Sequence, residues 1–510
     1  MQDQASQRAR RVRLSIAGFA CCEGFLLSLV SLNMFGSSSG AAPEEGVAQL
    51  ALTLLVLVIG FACVVLVPAR LRTTLLSPRA AVLFAVLSLA ALVVTACAPQ
   101  GLAAAAATAL LGGLPAAQQL CAWGRRLGGN PIDQSVPVVF IASALGGALC
   151  FLAVSVPVPA VCGALFVLPL LGALLLVLYE RPDATVDVAP DEVKCAASDA
   201  SAPAHTADEA PRAHEISARI MAGTAIYGAA AGLVEASAAS EGGAGGSSES
   251  LMLLLFVVLC LAALQLFGGH PLAKLRAVLP RSVSSEQVRD GGPLDGSYRL
   301  AILLFVAGLL VAPLVERVGV TPSVVAAAGY LGVSVVLASL FLVMAHIGAR
   351  DASLSFARGF SALFVGEAAG LAAGFILAAN GVPDATSLAA AAAGILVLYG
   401  FLFLFTERDL RALSVVVDEA DCFDEACEEI ATRAGLSKRE GEVLPFVLRG
   451  RTSERIAAEL FISKNTVDTH IRRIYAKCGV HNRQELIDLG EQTEAALRAQ
   501  RRPGGASCKR

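Results

Sequence analysis

The sequence predicts an all-α protein, in which a bundle of twelve transmembrane helices is followed by a small C-terminal domain of four helices. Three observations lead to this prediction. The chain of 510 residues is 56% hydrophobic and only 16% charged, whereas a soluble domain carries roughly 25% charged residues. Twelve apolar stretches have about the length that a helix needs to cross a bilayer. From residue 436 onwards, these stretches give way to amphipathic helices with polar caps and a basic net charge.

The predicted spans divide into two groups of six. The first group lies within residues 14–179 and the second within residues 215–405. The loop at 180–214 separates them, and its richness in Asp, Ala and Pro is typical of a disordered segment. The individual spans are predicted at 14–35, 47–68, 80–97, 101–122, 136–155, 158–179, 216–236, 250–267, 298–315, 322–347, 359–380 and 384–405.

The loop charges predict how the bundle is oriented. If the basic N-terminal segment 1–13 is cytoplasmic, 20 of the 21 Lys and Arg residues in the first 405 positions fall on the cytoplasmic side, and Arg317 is the exception. Basic loops are retained in the cytoplasm. Both termini and the loop at 180–214 are therefore expected there, which places the protein in the inner membrane of a bacterium as a multi-pass protein.

This plan of six and six helices with both ends inside resembles the major facilitator superfamily of transporters in architecture. The resemblance covers about 400 residues and implies a transporter-like fold. The loop between the second and third helices departs from the family pattern, because Pro68 to Arg79 keeps the basic charge but lacks the usual Gly and Asp. That departure argues against coupled transport.

Three carboxyl groups lie within predicted spans, where an ionisable group is costly and marks a candidate functional site. Glu23, Glu235 and Glu367 are therefore candidates for sensing a ligand. Glu23 and Glu235 occupy equivalent helices of the two halves, so they are candidates for facing one central cavity. The alternatives are that Glu235 lies in water at the outer interface, that Glu367 bonds a neighbouring helix, and that Glu23 is a satisfied packing residue.

Glycines recur at a spacing of four in two of the spans. Gly228 and Gly232 lie in the seventh span, and Gly366, Gly370 and Gly374 in the eleventh. This spacing lets two helix backbones approach closely. It predicts tight packing within the bundle, with dimerisation between molecules as the alternative.

The last part of the chain has a different charge and a different pattern. A linker at 406–435 carries a net −6, whereas the predicted domain at 436–499 and the tail at 500–510 together carry +6. Ser437 with Glu440, and Asn482 with Glu485, have the spacing of capping boxes at the starts of two helices.

The third helix of this domain has two distinct faces and is expected to begin after Ser463. Helical spacing places Val467, Ile471, Ile474 and Cys478 on a core face. Another face carries Asn465, Thr469, Arg472 and Ala476. A basic, exposed helix that follows a short turn is the arrangement that enters the major groove of DNA.

These residues resemble the LuxR/FixJ type of helix-turn-helix domain over about 55 positions. The resemblance rests on Leu436, Arg439, Glu440, Glu442, Val443, Leu444, Gly450, Ile456, Ala457, Leu460, Ile462, Ser463, Thr466, Val467, His470, Ile474, Lys477 and Val480. Three positions depart from the family pattern. Asp468 stands where many relatives have Lys, Arg455 replaces a Glu, and Cys478 replaces a Leu.

The resemblance implies how the third helix would contact double-stranded DNA. Asp468, Thr469 and Arg472 would read bases. A second set would lie near phosphates, where basic charge supplies most of the affinity: Lys464, Asn465, Thr466, Arg473 and Lys477. The resemblance also implies a homodimer formed through the fourth helix. The alternative is a degenerate domain that no longer binds DNA.

Together these features predict a membrane-embedded, one-component transcription regulator. The bundle would sense an unknown small molecule or a state of the envelope, in contact with membrane lipid, and the C-terminal domain would respond on DNA. The alternatives are a secondary transporter with an attached regulatory domain, and a domain released by proteolysis. No nucleophile elbow, phosphate loop, metal cluster or catalytic carboxylate pair is found in the sequence, so we expect no enzyme, cofactor or metal.

Overall fold

The computed structural model is helical, and no strand occurs among the residues it describes. The chain divides into two units, Met1–Arg411 and Ala412–Arg510. Most of the loop at 180–214, most of the linker at 406–435 and most of the tail at 500–510 lie outside the described residues. The described residues are 2–30, 43–97, 101–130, 132–155, 165–180, 209–240, 246–266, 292–310, 322–347, 351–380, 382, 384–404, 423, 426–448, 450–460 and 463–501.

The first unit is built from thirteen described helices of unequal length. The helix α7 follows a short 3-10 turn at Leu165–Val167, and α13 continues into a π-helical turn at Gly400–Leu404. The helices are α1 (Gln2–Val30), α2 (Pro43–Leu66), α3 (Ala69–Leu75), α4 (Pro78–Cys97), α5 (Leu102–Leu127), α6 (Ile132–Ser155), α7 (Leu168–Glu180), α8 (Glu209–Ser240), α9 (Gly246–Leu266), α10 (Gly292–Leu310), α11 (Pro322–Ile347), α12 (Ala352–Ala379) and α13 (Ala385–Tyr399).

These helices confirm the predicted fold class. Each of the twelve predicted spans overlaps a helix of this unit. Among the described residues, eight helices are long and apolar enough to cross a membrane, and α3 with α4, bent by 55°, would make a ninth if they form one span. The helix α7 and the Gly296–Leu310 part of α10 are apolar but shorter. The exact number of twelve spans stays a prediction.

Large apolar side chains cover the outer surface of this unit. Leu66 is 81% exposed, Leu310 75% and Ile395 68%, and many further Leu, Ile and Val side chains are at least one-third exposed. A soluble monomer rarely exposes contiguous apolar surface of this extent. Hydrocarbon is the solvent that fits such a surface, and the protein is a multi-pass membrane protein.

Helices α8 and α12 pack with their backbones in direct contact. A methyl group placed on Gly228 would overlap the carbonyl oxygen of Leu363, and one on Gly232 would overlap that of Glu367. The reverse holds for Gly366 and Gly370, where a methyl group would overlap carbonyl oxygens of α8. The glycine spacing therefore serves packing within the bundle, as expected, and these four glycines allow direct backbone contact between α8 and α12.

Contacts between α12 and the first half of the bundle are aromatic and ionic. The ring of Phe61 on α2 stacks on Phe360 and Phe364 of α12, with ring centroids 5.8 and 6.0 Å apart. Arg72 on α3 is 9% exposed, and its Nε lies 3.5 Å from a carboxylate oxygen of Asp351, the residue that caps α12. Helix α12 thus joins the two halves as well as packing on α8.

The second unit is a small helical domain with a core of its own. Its helices are α14 (426–433), α15 (Lys438–Leu448), α16 (Ser453–Leu460), α17 (Lys464–Cys478) and α18 (Arg483–Arg501). The core contains Val443, Leu444, Val447, Ile456, Val467, Ile471, Ile474 and Leu486. Cys427 and Ile430 of α14 are buried in the same core, although they lie in the segment assigned to the linker. The folded domain therefore includes residues that precede Leu436.

The predicted capping box at Ser437 forms in full, whereas only one half of the box at Asn482 forms, because the Glu485 carboxylate accepts from the N–H of His481. The backbone N–H of Ser437 donates to Glu440 Oε2 at 2.7 Å, and the N–H of Glu440 donates to Ser437 Oγ at 3.4 Å, which completes a reciprocal capping box. The N–H of Glu485 donates to Asn482 Oδ1 at 2.8 Å. Gly450 follows α15 with a φ of 74°, a left-handed conformation that glycine adopts without strain. These local bonds fix where the helices of the domain begin and end.

Candidate functional sites

Helix α17 has the two faces that the sequence predicts. Its N-terminus is capped by Ser463, whose Oγ accepts from the N–H of Thr466 at 3.2 Å. Val467, Ile471 and Ile474 are buried in the domain core, and Cys478 is partly buried against it. The core face therefore fixes the rotation of the helix and leaves its opposite face towards solvent.

The solvent face of α17 carries most of the residues predicted to contact DNA. Asn465, Thr469, Arg472 and Arg473 are exposed, and Asp468 is partly exposed. The Thr469 hydroxyl donates to the carbonyl of Asn465 at 2.8 Å, which orients the hydroxyl oxygen along the helix. Two guanidinium groups on adjacent positions of this face can bind bases or phosphates.

The first turn of α17 is partly neutralised within the domain itself. Lys464 Nζ donates to Glu454 Oε1 of α16 at 2.6 Å, and Asp468 lies within electrostatic reach of both groups. The hydrogen bond and charge of Lys464 lower the pKa of Glu454, and Glu454 correspondingly raises the pKa of Lys464. Both side chains are exposed, so DNA phosphate can compete with Glu454 for the ammonium group.

Lys477 has a different environment from the other predicted phosphate contacts. Its Nζ donates to Glu440 Oε2 at 2.7 Å and to the carbonyl of Gly435 at 3.1 Å. The Glu440 side chain is only 3% exposed. The Lys477 hydrogen bond, followed by that of the Ser437 N–H, lowers the pKa of Glu440 to about 2. Lys477 therefore ties α17 to the start of α15, and in this structure its ammonium group is engaged by the domain.

In the second half of the bundle, the structure brings together two of the three intramembrane carboxyls. Tyr330 on α11 donates its hydroxyl to Glu367 Oε2 on α12 at 2.5 Å, and Glu367 is fully buried. Glu235 on α8 lies within electrostatic reach of Glu367 and of Tyr330. The hydrogen bond to Glu367 is the one expected from a neighbouring helix. Glu235 is partly exposed although its Oε2 is buried, so the alternative that it lies in water at the outer interface stays a prediction.

Glu23 lies elsewhere in the bundle, on α1. It is 6% exposed and lies within electrostatic reach of the thiol groups of Cys22 and Cys260. The close packing of Gly146 on α6 brings a second backbone next to Glu23. No interaction between Glu23 and Glu235 is seen among the described residues, so their sharing of one cavity stays a prediction.

Sequence reasoning missed the partners of these charged groups. Tyr330 and Glu367 are 37 positions apart, and so are Glu440 and Lys477. A tyrosine within an apolar span was the only available signal for the first pair, because a hydroxyl in hydrocarbon needs a partner. Among the described residues, no group of three or more metal-ligating side chains occurs.

Comparison with known proteins agrees with the geometry of the C-terminal unit. Residues 434–489 match the family described as bacterial regulatory proteins, luxR family. The C-terminal domain is a LuxR-type helix-turn-helix domain. Over 64 residues, the chain is 38% identical to the HTH-type transcriptional regulator MalT of Serratia proteamaculans. The aligned segment is 12% of this chain and only 7% of that relative's length, so the similarity concerns the DNA-binding domain.

Solved structures resemble the membrane unit that precedes the LuxR-type domain. The human organic anion transporter MFSD10 (TETRAN) matches 78% of this chain and 99% of its own, with a TM-score of 0.50 and 13% identity. A bacterial homologue of the iron transporter ferroportin, in an outward-facing state, matches 80% of this chain and 99% of its own, with a TM-score of 0.46 and 11% identity. At 13% identity, the match to MFSD10 shows a shared fold for the membrane unit that precedes the LuxR-type domain.

Proposed function

We propose that the protein is a membrane-embedded, one-component transcription regulator. The observation that carries this proposal is α17, whose caps, core face and exposed basic face are all intact on the same chain as the membrane bundle. The regulator would bind double-stranded DNA as a homodimer through the LuxR-type domain. The bundle, in contact with lipid, would bind a small molecule or respond to the envelope.

The proposal requires the domain to be on the side of the membrane where DNA is. The distribution of basic residues supports this, because 20 of the 21 in the first 405 positions fall on one side when both termini are placed in the cytoplasm. In a bacterium the protein would therefore be in the inner membrane with the LuxR-type domain in the cytoplasm. A ligand can shift the bundle between two states only by as much as its affinities for them differ.

The base-reading role of Arg472 gives the proposal a direct test in vitro. We expect Arg472→Ala, in the full chain purified in detergent, to cost about 1–3 kcal/mol at the preferred DNA site and to relax specificity there. The physical reason is that a guanidinium group on the exposed face of α17 can bond the edge of a guanine. Sites selected from a random DNA library by the unaltered protein, followed by titration of each variant, provide the measurement.

Arg439→Ala is the matched control for Arg472→Ala, because it removes the same charge from an exposed position on α15. It should leave sequence preference unchanged. A preference retained by Arg472→Ala would show that α17 does not read bases through this residue.

A second candidate function is secondary transport combined with regulation. The observation in its favour is the fold of the membrane unit, together with the carboxyls of Glu235 and Glu367, each of which has a buried oxygen. The loop that follows the second span lacks the Gly and Asp of the transporter pattern, which counts against it. Uptake into vesicles separates the two functions, because a pure sensor binds its ligand without accumulating it.

A further inference from the structure

The cluster formed by Glu235, Glu367 and Tyr330 has an unusual balance of hydrogen-bond donors and acceptors. Tyr330 supplies one donor to Glu367 Oε2. Glu367 Oε1 and Glu235 Oε2 are both buried and have no hydrogen-bond partner among the described residues, although Glu235 as a whole is partly exposed. A buried acceptor without a partner loses the full free energy of its hydration. The cluster therefore lacks at least one donor, and a proton carried by either carboxyl would be that donor.

The charge of the cluster leads to the same conclusion. Helices α2, α5, α11 and α13 pack around α8 and α12. Among the described residues, Glu367 acts electrostatically on Glu235, and Tyr330 bonds Glu367; none of these three groups is a cation. Two carboxylates in a low-dielectric environment repel each other strongly and pay a large desolvation cost. A proton removes one of the charges and needs no cavity beyond the space already present.

The cluster lies at the close crossing of α8 and α12. A methyl group on Gly232 would overlap the carbonyl oxygen of Glu367, so the backbone that carries this carboxyl touches α8 directly. Glu235 is on α8 itself, less than one turn beyond Gly232. A second negative charge in the cluster would therefore repel the first across α8 and α12, two helices whose backbones are already in direct contact.

We propose that Glu235, Glu367 and Tyr330 form a proton-binding site that holds one proton between the two carboxyls. The site deepens the proposed function, because it names the proton as an input to the bundle. Its existence does not depend on DNA binding. Glu23, which lies apart on α1, is not part of it.

Infrared spectroscopy of the full-length protein in lipid nanodiscs tests this proposal, because a protonated carboxyl has a C=O band that shifts in D2O. We expect a band that titrates with pH. Glu367→Gln should abolish it. Glu235→Gln should move its midpoint to lower pH by about one unit or more, because the neighbouring negative charge is gone. Glu23→Gln is the matched control, a buried carboxyl outside the cluster, and should leave this band unchanged.

Tyr330→Phe keeps the ring volume and provides a second, milder variant. It should change the frequency of the band, because Glu367 loses its hydrogen bond, while a titrating band remains. The proposal would be overturned if the frequency and the titration midpoint of the C=O band were the same in the unaltered protein, Glu235→Gln and Tyr330→Phe. This result would hold whether or not Glu367→Gln folds.

DNA binding measured on the same samples distinguishes this proposal from the proposed function. A titrating band that responds to the cluster variants, in a protein that binds no specific DNA, would establish the proton site and contradict the regulator. Specific DNA binding, together with a band that is unchanged in the cluster variants, would support the regulator and contradict the proton site.

Discussion

Gly232→Ala is expected to lower the thermal unfolding temperature of the full chain sharply, because the new methyl group would overlap the carbonyl oxygen of Glu367 across the α8–α12 crossing. Forcing extra volume into a close-packed contact costs about 1–3 kcal/mol, and more when the obstructing atom is backbone. Combining Gly232→Ala with Gly370→Ala should lower stability further, since a methyl group on each of the two helices would then overlap the other's backbone. Thermal unfolding followed by size-exclusion chromatography in detergent provides the measurement.

Gly394→Ala on α13 is the matched control. The nearest atom to its new methyl group is Leu309 Cδ1 at 3.7 Å, an ordinary van der Waals distance. The change should therefore be neutral or slightly stabilising, because alanine favours helix more than glycine does. Equal effects of Gly232→Ala and Gly394→Ala would contradict the close crossing.

Lys477→Met is expected to lower the free energy of unfolding of the LuxR-type domain by about 1–3 kcal/mol. The change leaves the buried carboxylate of Glu440 with the Ser437 N–H but without its ammonium partner. This loss of stability is smaller than that expected on breaking a fully buried ion pair, because the Lys477 side chain is 38% exposed. Denaturant unfolding of residues 412–510, a unit with its own core, measures the effect.

The same pair gives the domain a predictable dependence on pH. The folded domain holds the pKa of Glu440 at about 2, below the ordinary value of 4.5. The ionised Glu440 carboxylate therefore makes its full contribution to the free energy of unfolding above about pH 4.5, and this contribution is lost as the pH falls towards 2. Lys477→Met should flatten this part of the stability profile.

Lys464→Met is the control for Lys477→Met, because the Lys464–Glu454 pair is exposed on both sides. Exposed pairs contribute little to stability, so unfolding should be unchanged. An unfolding free energy for Lys477→Met that equals that of Lys464→Met would contradict a structural role for the Glu440–Lys477 pair.

The features that the sequence predicts well are those determined by neighbouring residues. Hydropathy marks the helices of the bundle because hydrocarbon accepts only apolar segments that satisfy their own backbone. The capping box at Ser437 and the side-chain cap at Asn482 were predictable because each bond joins residues three positions apart. The core face of α17 followed from helical periodicity, which places Val467, Ile471 and Ile474 on one side.

The features that the sequence does not predict depend on tertiary contacts. The cluster of Glu235, Glu367 and Tyr330 draws on three helices, and no local pattern relates them. Lys477 resembles a phosphate contact by position and charge, yet Glu440 lies 37 residues away and engages it. Charge along a helix face shows that a cation is present, whereas the fold decides which anion it binds.

We expect the LuxR-type domain to act on DNA while it remains attached to the membrane bundle. Chromatin immunoprecipitation of the full-length protein tests this most directly. Fractionation of the same cells shows whether the protein is in the membrane, and the Arg472→Ala variant is the reference for DNA enrichment. We expect the unaltered protein to be found intact in the membrane fraction and enriched at discrete DNA sites, and Arg472→Ala to lose that enrichment at equal abundance. No enrichment of the intact protein, or enrichment only of a soluble C-terminal fragment, would contradict the account.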